Sequence, residues 1–280
     1  MFASFLRPGT PRGTMILEAA RPEGPYVPVT GVPYTPGDWS CLDGTFFEED
    51  GKFYSFFIHE WTQISDGTVE LARLKDDFSG MASDPVTLFH GSDAPWARAM
   101  WNGGFVTDGP FLWRLSTGRL AMLWSGFGTE GYTLGVAYSD GGVRGPWVQD
   151  PEPLFPTDGG HGMIFRTPEG KLMLSLHSPN ETPKERPHFF LLEERDGRLC
   201  RACPGPLQDH TKPGPLAVRA LPACQKSADD PIVGGDASSP RQQSAGAASL
   251  FGEYGTFRDR ADEGIGPYEM YFDSLPRPQK

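Results

Sequence analysis

One pattern occurs three times in the chain, and it constrains the fold more than any other feature. The copies cover residues 43–57, 108–125 and 161–176. In each copy a polar residue precedes a glycine, a short apolar strand follows, and a turn of the form x-Gly-Lys/Arg leads into a second apolar strand. Glycine accepts the positive φ that tight hairpin turns need. The pattern therefore predicts a series of antiparallel hairpins.

The repeat favours a β-propeller over a β-sandwich. The copies begin at residues 43, 108 and 161, a spacing a little longer than the roughly 40–50 residues of a typical propeller blade. Residues 19–27 also resemble residues 137–148, and both would form the outer part of a blade. A sandwich would not explain why one repeat position carries Asp43, Asp108 and His161. We therefore predict an all-β propeller whose repeat position points at a common axis.

The same repeat predicts where the blades begin and end. Residues 1–5 resemble residues 122–127, the second strand of a blade, so the chain is expected to start inside a blade. The repeats fade after residue 194, which predicts an incomplete propeller of about three and a half blades. We expect the propeller over residues 1–196. The Pro-, Gly-, Ser- and Gln-rich residues 197–280 are typical of a disordered tail.

Composition and charge exclude several classes of partner. The formal net charge is −11, whereas nucleic-acid binding relies on clustered Lys and Arg. No apolar run approaches the roughly 20 residues that span a bilayer, and the N-terminus does not resemble a signal peptide. As written, the chain is predicted to be cytoplasmic, with neither nucleic acid nor membrane as a partner. The lone Cys200-x-x-Cys203 pair is weak support for zinc, so no metal ligands are predicted.

Four stretches of the sequence resemble glycoside hydrolase family 43. They are residues 39–45, 92–96, 106–112 and 158–165, and the resemblance covers about residues 1–194. It implies a five-bladed propeller that hydrolyses glycosidic bonds with inversion, using paired carboxylates and no required cofactor. The implied substrates are plant-type glycans that contain arabinose, xylose or galactose. In such chemistry one carboxylic acid holds its proton while another carboxylate stays ionised.

The resemblance implies catalytic roles for two aspartates. Asp43 matches the family's aspartate that orients and tunes the acid. Asp108 falls where the family has its acid, a glutamate, and Glu60 is the rival for that role. His161 matches the family's channel histidine, which would lie beside the substrate or a bound calcium ion. The base aspartate of the family belongs to a first blade that has no counterpart in this sequence.

Further polar and aromatic residues are predicted to contact substrate, because aromatic faces suit the apolar face of a sugar ring and polar groups suit its hydroxyls. The predicted substrate-binding residues are His59, Trp61, Asp93, Trp96 and His161. Trp124 lies inside a strand and is predicted to pack in the core. The alternative is an inactive propeller remnant with at most weak carbohydrate binding. In that alternative, Asp43 and Asp108 are ordinary turn residues before glycine.

Overall fold

The computed structural model describes residues 1–202, which form four antiparallel β-sheets that follow one another along the chain. The first sheet has three strands and each of the others has four. The strands of the first two sheets are β1 (Phe2–Phe5), β2 (Gly13–Glu18), β3 (Val27–Pro28), β4 (Cys41–Glu49), β5 (Lys52–His59), β6 (Thr68–Arg73) and β7 (Val86–His90). A short helix, α1 (Trp61–Ile64), connects β5 to β6.

The third and fourth sheets repeat the order of the second, with each strand paired to the next one along the chain. Their strands are β8 (Asp108–Arg114), β9 (Leu120–Gly128), β10 (Gly131–Ser139), β11 (Val148–Gln149), β12 (Gly160–Arg166), β13 (Leu172–Ser178), β14 (Arg186–Arg195) and β15 (Arg198–Arg201). Because β15 pairs with β14, the fourth sheet continues past the expected boundary at residue 196. The predicted disordered tail lies, from residue 203 onward, outside the described residues.

Apolar layers between successive sheets hold this arrangement together. Along β9 the side chains alternate between two of these layers, so that Met122 and Trp124 pack toward the second sheet while Ala121 and Leu123 pack toward the fourth. All four are fully buried, which confirms the core position predicted for Trp124. A sheet that buries both faces against neighbouring sheets is typical of a propeller blade. The predicted all-β, propeller-like fold is therefore confirmed, with four blades described.

The second predicted repeat is also present in the structure. In the third sheet, β10 pairs with β11 through Tyr138 and Val148. In the first sheet, β2 pairs with β3 through Glu18 and Val27 in the same antiparallel way. The three strands of the first sheet thus correspond to the second, third and fourth strands of a complete blade. Within residues 1–202, no helix has the length and apolar character needed to cross a membrane.

Partly buried carboxylates connect neighbouring blades at the ends of the strands. Glu49 accepts hydrogen bonds from the Arg114 side chain at 3.0 Å and from the Val143 backbone N–H at 3.1 Å. Glu194 accepts a hydrogen bond from the backbone N–H of Ser116 at 2.7 Å. Hydrogen bonds to charged acceptors are stronger than those between neutral groups. These contacts connect the third blade to the second and to the fourth.

Close packing between the second and third blades yields a first prediction. A Cβ atom at Gly135 would lie 2.2 Å from the Trp96 ring, whereas one at Gly31 would meet nothing within 4 Å. Overpacking of this kind destabilises a protein by about 1–3 kcal/mol. We therefore expect Gly135→Ala to lower the free energy of unfolding by that amount in urea titrations. Gly31→Ala is the matched control, and equal effects of the two substitutions would contradict this packing.

Candidate active site

Three β-bulges lie at the same place in the first strands of the second, third and fourth blades. In each bulge, two residues of the first strand interrupt the regular pairing with the second strand. The first bulge residue has positive φ in every case: 54° at Asp43, 53° at Gly109 and 52° at His161. Bulges re-aim side chains and are frequent next to active sites. For Asp43 and His161 the left-handed backbone is an uncommon conformation that favours a functional explanation.

The bulges correct one detail of the predicted repeat. Asp43 and His161 are equivalent, but their partner in the third blade is Gly109. Asp108 lies one residue earlier, where it pairs with Ser125 in the way that Gly160 pairs with His177. The predicted equivalence of Asp108 with Asp43 and His161 was therefore wrong by one residue. The reason is that the bulge requires positive φ, which is easiest for glycine itself, so Gly109 and not the residue before it occupies this position.

Asp43 ties its own bulge to the bulge of the next blade. Its Oδ2 accepts a hydrogen bond of 2.9 Å from the backbone N–H of Gly109. Its own N–H donates to Ser4 Oγ at 3.0 Å. His161 Nδ1 lies 3.9 Å from the same Asp43 oxygen. A Cβ atom at Gly109 would lie 2.9 Å from the His161 ring. The three bulges therefore meet, and both Asp43 and His161 lie close enough to Asp108 to change its pKa.

Asp108 is the carboxyl group whose chemistry is most altered by its surroundings. Burial raises its pKa to about 7, and the nearby charge of Asp43 acts in the same direction. His161 and a hydrogen bond from Tyr132 oppose this rise without cancelling it. The Tyr132 hydroxyl donates to Asp108 Oδ2 at 2.8 Å. A carboxyl group that keeps its proton near neutral pH, beside a second carboxylate, is suited to general acid catalysis.

Two residues of this cluster were not predicted to contribute to it. Tyr132, at the start of β10, is 3% exposed, and its ring stacks on His177 with centroids 5.6 Å apart. Burial lowers the pKa of His177, whose Nε2 contacts Asn180 Oδ1 at 3.0 Å. In the sequence Tyr132 is one of many strand aromatics, and only its place beside a hairpin glycine could have marked it.

Glu60, the rival for the acid role, has different surroundings. Its Oε2 accepts a 2.6 Å hydrogen bond from Ser40 Oγ and lies 3.7 Å from Arg12 Nε. Its side chain is 15% exposed. These contacts hold Glu60 at the entrance to α1 and favour a structural task for it, whereas Asp108 is the carboxyl group with a raised pKa.

His59 and Trp61 lie at the same end of the second sheet as Asp43. His59 pairs with Cys41 in the ladder, and its ring stacks on Trp39 at 4.2 Å. Its Nε2 contacts Gln63 Oε1 at 2.8 Å. The Trp61 ring covers Gly104, where a Cβ atom would approach it to 2.6 Å. Both residues lie at the Asp43 end of the blade, where substrate contact is predicted. The contacts given above for them are with other residues of the protein.

Asp93 and Trp96 lie farther along the loop between β7 and β8. Asp93 is exposed and accepts a 2.8 Å hydrogen bond from the backbone N–H of His90. Trp96 is only 6% exposed and packs against Trp124 with ring centroids 4.7 Å apart. The position of Trp96 favours core packing over a sugar platform. Neither residue contacts Asp43, Asp108 or His161 in the described hydrogen bonds and ring contacts.

The calcium ion predicted near His161 would need six to eight oxygen ligands, which can include water. Asp43 Oδ2 lies 3.9 Å from His161 Nδ1. Among residues 1–202, no cluster of three or more His, Cys, Asp or Glu side chains could hold a metal ion. Calcium near His161 stays a prediction, and the proposed catalytic steps do not involve it.

Comparison with known proteins places this geometry in a family. The family model described as "Glycosyl hydrolases family 43" matches residues 5–193. The endo-arabinase from Bacteroides thetaiotaomicron VPI-5482 is 42% identical, with a TM-score of 0.67 over 70% of this chain and 72% of that chain. No protein of curated function gives a significant match.

More distant structures share the fold. An endo-1,4-beta-xylanase from the same bacterium is 23% identical, with a TM-score of 0.54 over 69% of this chain and 67% of that one. An alpha-L-arabinofuranosidase from Lactobacillus brevis is 20% identical, with a TM-score of 0.55 over 66% and 64%. Since the family match covers most of the chain and a relative at 42% identity shares its fold, the chain belongs to glycosyl hydrolases family 43.

Proposed function

We propose that this protein hydrolyses glycosidic bonds in arabinose-containing plant polysaccharides or oligosaccharides, with Asp108 as the general acid. The observation that carries the proposal is the half-buried Asp108, whose pKa is raised to about 7 beside the carboxylate of Asp43. Xylose- and galactose-containing glycans are the other substrates of the same class. Arabinan is preferred because the relative at 42% identity is an endo-arabinase.

In the proposed reaction the two aspartates have different tasks. Protonated Asp108 donates its proton to the glycosidic oxygen as the bond from that oxygen to the anomeric carbon breaks. Asp43 accepts the Gly109 N–H through Oδ2, and its charge raises the pKa of Asp108, which helps to keep the proton on Asp108. His161, beside Asp43, faces the same space and contacts the sugar.

The proposal includes an inverting outcome and a five-bladed propeller, both supported by the family resemblance. A water molecule attacks the anomeric carbon from the opposite face, and a base aspartate takes its proton. That base is assigned to a blade other than the four described, and no residue of 1–202 is given this role. His59, Trp61, Asp93 and Trp96 stay predicted substrate contacts, with His59 and Trp61 better placed at the site end of their blade.

The acid assignment can be tested by comparing two substrates that differ in leaving group. Release of reducing sugar from arabinan depends on protonation of a poor leaving group, whereas a p-nitrophenyl arabinofuranoside needs little acid assistance. We expect Asp108→Asn to reduce kcat/KM on arabinan by about 10²–10⁴-fold, the usual size of a general-acid contribution. The loss on the aryl glycoside should be much smaller.

Two further variants make this comparison decisive. Glu60→Gln removes the rival carboxylate and is expected to affect both substrates equally, since its contacts are structural. Asp76→Asn is the matched control, because the Asp76 side chain is 78% exposed. A selective loss on arabinan in Glu60→Gln, with none in Asp108→Asn, would transfer the acid role to Glu60. No hydrolysis of any glycan by the wild type, together with weak glycan binding, would favour the inactive remnant.

The raised pKa of Asp108 predicts the alkaline limb of the pH profile. An acid catalyst is active in its protonated form, so activity is retained below the pKa of the folded protein and lost as the pH rises through it. That pKa is about 7, and we expect kcat/KM to fall tenfold for each pH unit above this value. Measuring kcat/KM between pH 5 and 9 checks this. A profile that stays flat through pH 8 would contradict the assignment.

A further inference from the structure

The Tyr132 hydroxyl is the side-chain hydrogen-bond donor to Asp108. It donates a 2.8 Å hydrogen bond to one carboxyl oxygen, Oδ2. Tyr132 is only 3% exposed, so this donor is held within the protein.

The hydrogen bond to Asp108 runs from the tyrosine to the carboxyl group. The Tyr132 hydroxyl is the donor, and Asp108 Oδ2 is the acceptor.

Packing holds the Tyr132 ring in place. The ring is stacked on His177 at an interplanar angle of 19° and meets Phe127 edge-on at 5.5 Å. On another side lies Gly160, where a Cβ atom would approach the ring to 2.6 Å. A buried ring with neighbours on these sides cannot turn its hydroxyl away from Asp108 without moving a strand.

We propose that Tyr132 is a positioning residue for Asp108: its hydroxyl keeps Oδ2 as a hydrogen-bond acceptor, so that the transferable proton is carried on Oδ1. The proposal rests on the proposed function of Asp108 as the general acid. In this arrangement Tyr132 donates to Oδ2, and the stacked His177 ring and the edge-on Phe127 ring hold its hydroxyl there. The Oδ1–H group is then the one available to the glycosidic oxygen.

The charges around Asp108 determine how its titration responds. Asp43 and Glu60, on the second blade, raise the pKa of Asp108, and His161 on β12 lowers it. The Tyr132 hydrogen bond also lowers it, because a donor stabilises the ionised carboxylate more than the neutral acid. Removing that donor must therefore raise the pKa of Asp108, whereas the contributions of the three charged neighbours are left unchanged.

The experiment is a pH titration by NMR of protein labelled with ¹³C at the aspartate side-chain carboxyl carbons, with the Asp108 signal assigned by its loss in Asp108→Asn. We expect Tyr132→Phe to raise the pKa of Asp108 by about one to two, the size expected for loss of one hydrogen bond to a charged acceptor. Tyr138→Phe is the matched control. Its hydroxyl, on the same strand, accepts the Leu199 N–H instead, so the pKa of Asp108 should not change.

An unchanged or lowered pKa of Asp108 in Tyr132→Phe would overturn the proposal. Should that variant not fold, wild-type protein labelled at the tyrosine ring gives the answer. The Tyr132 Cζ signal must then change with the same midpoint as the Asp108 carboxyl, and a signal without that midpoint overturns the proposal.

The titration uses no substrate, which separates this inference from the proposed function. An inactive wild type whose Asp108 titration is shifted in Tyr132→Phe contradicts the proposed function but supports the hydrogen-bond direction. An active wild type whose titration is unshifted overturns the positioning role alone. In an active protein, the alkaline limb of kcat/KM should move upward in Tyr132→Phe, which a purely structural role of Tyr132 would not cause.

Discussion

The positions of the candidate catalytic groups depend on three β-bulges. Each bulge lies in the first strand of a blade, where two residues leave the regular ladder. The bulge turns Asp43 and His161 out of the ladder through a left-handed backbone, at a cost of order 1–3 kcal/mol for each. Part of that cost is offset by the hydrogen bond from the Gly109 N–H to Asp43. A regular ladder would send these side chains into the layers between blades, where no substrate could reach them.

The bulges also explain how two neighbouring aspartates come to have different surroundings. Asp43 lies in a bulge, where a backbone N–H is available to its carboxylate. Asp108 lies one residue before a bulge, still in the ladder, with a tyrosine hydroxyl as donor. Burial raises the pKa of Asp108. A one-residue offset in the backbone thus gives the two carboxyl groups different partners.

The hairpins and blades could be predicted from the sequence because their signals are local. The turns with Gly51, Gly118 and Gly170 and the apolar strands beside them require no knowledge of distant residues. The one-residue register of Asp108 could not be predicted, since Asp108-Gly109 and Asp43-Gly44 look alike until positive φ is assigned to Gly109 rather than to Asp108. The burial of Trp96 likewise depends on Gly135, which is distant in sequence. The contribution of Tyr132 to the site depends on Ser125 and Asp108, which lie on two other strands.

The proposed acid, Asp108, is shorter than the glutamate of the family pattern, and its surroundings give a physical account of that change. Aspartate has one fewer rotatable bond than glutamate, so less rotamer entropy is lost when its carboxyl group is held still. One donor on Oδ2, from a tyrosine that is itself packed against His177, then suffices to orient the group. The shorter reach leaves the proton closer to the ladder, and the glycosidic oxygen has to approach more closely to the strand that carries Asp108. A proposed acid of this kind has a shorter reach but a better-defined position. Groups that are already in place before the reaction need no reorganisation during it, which favours catalysis.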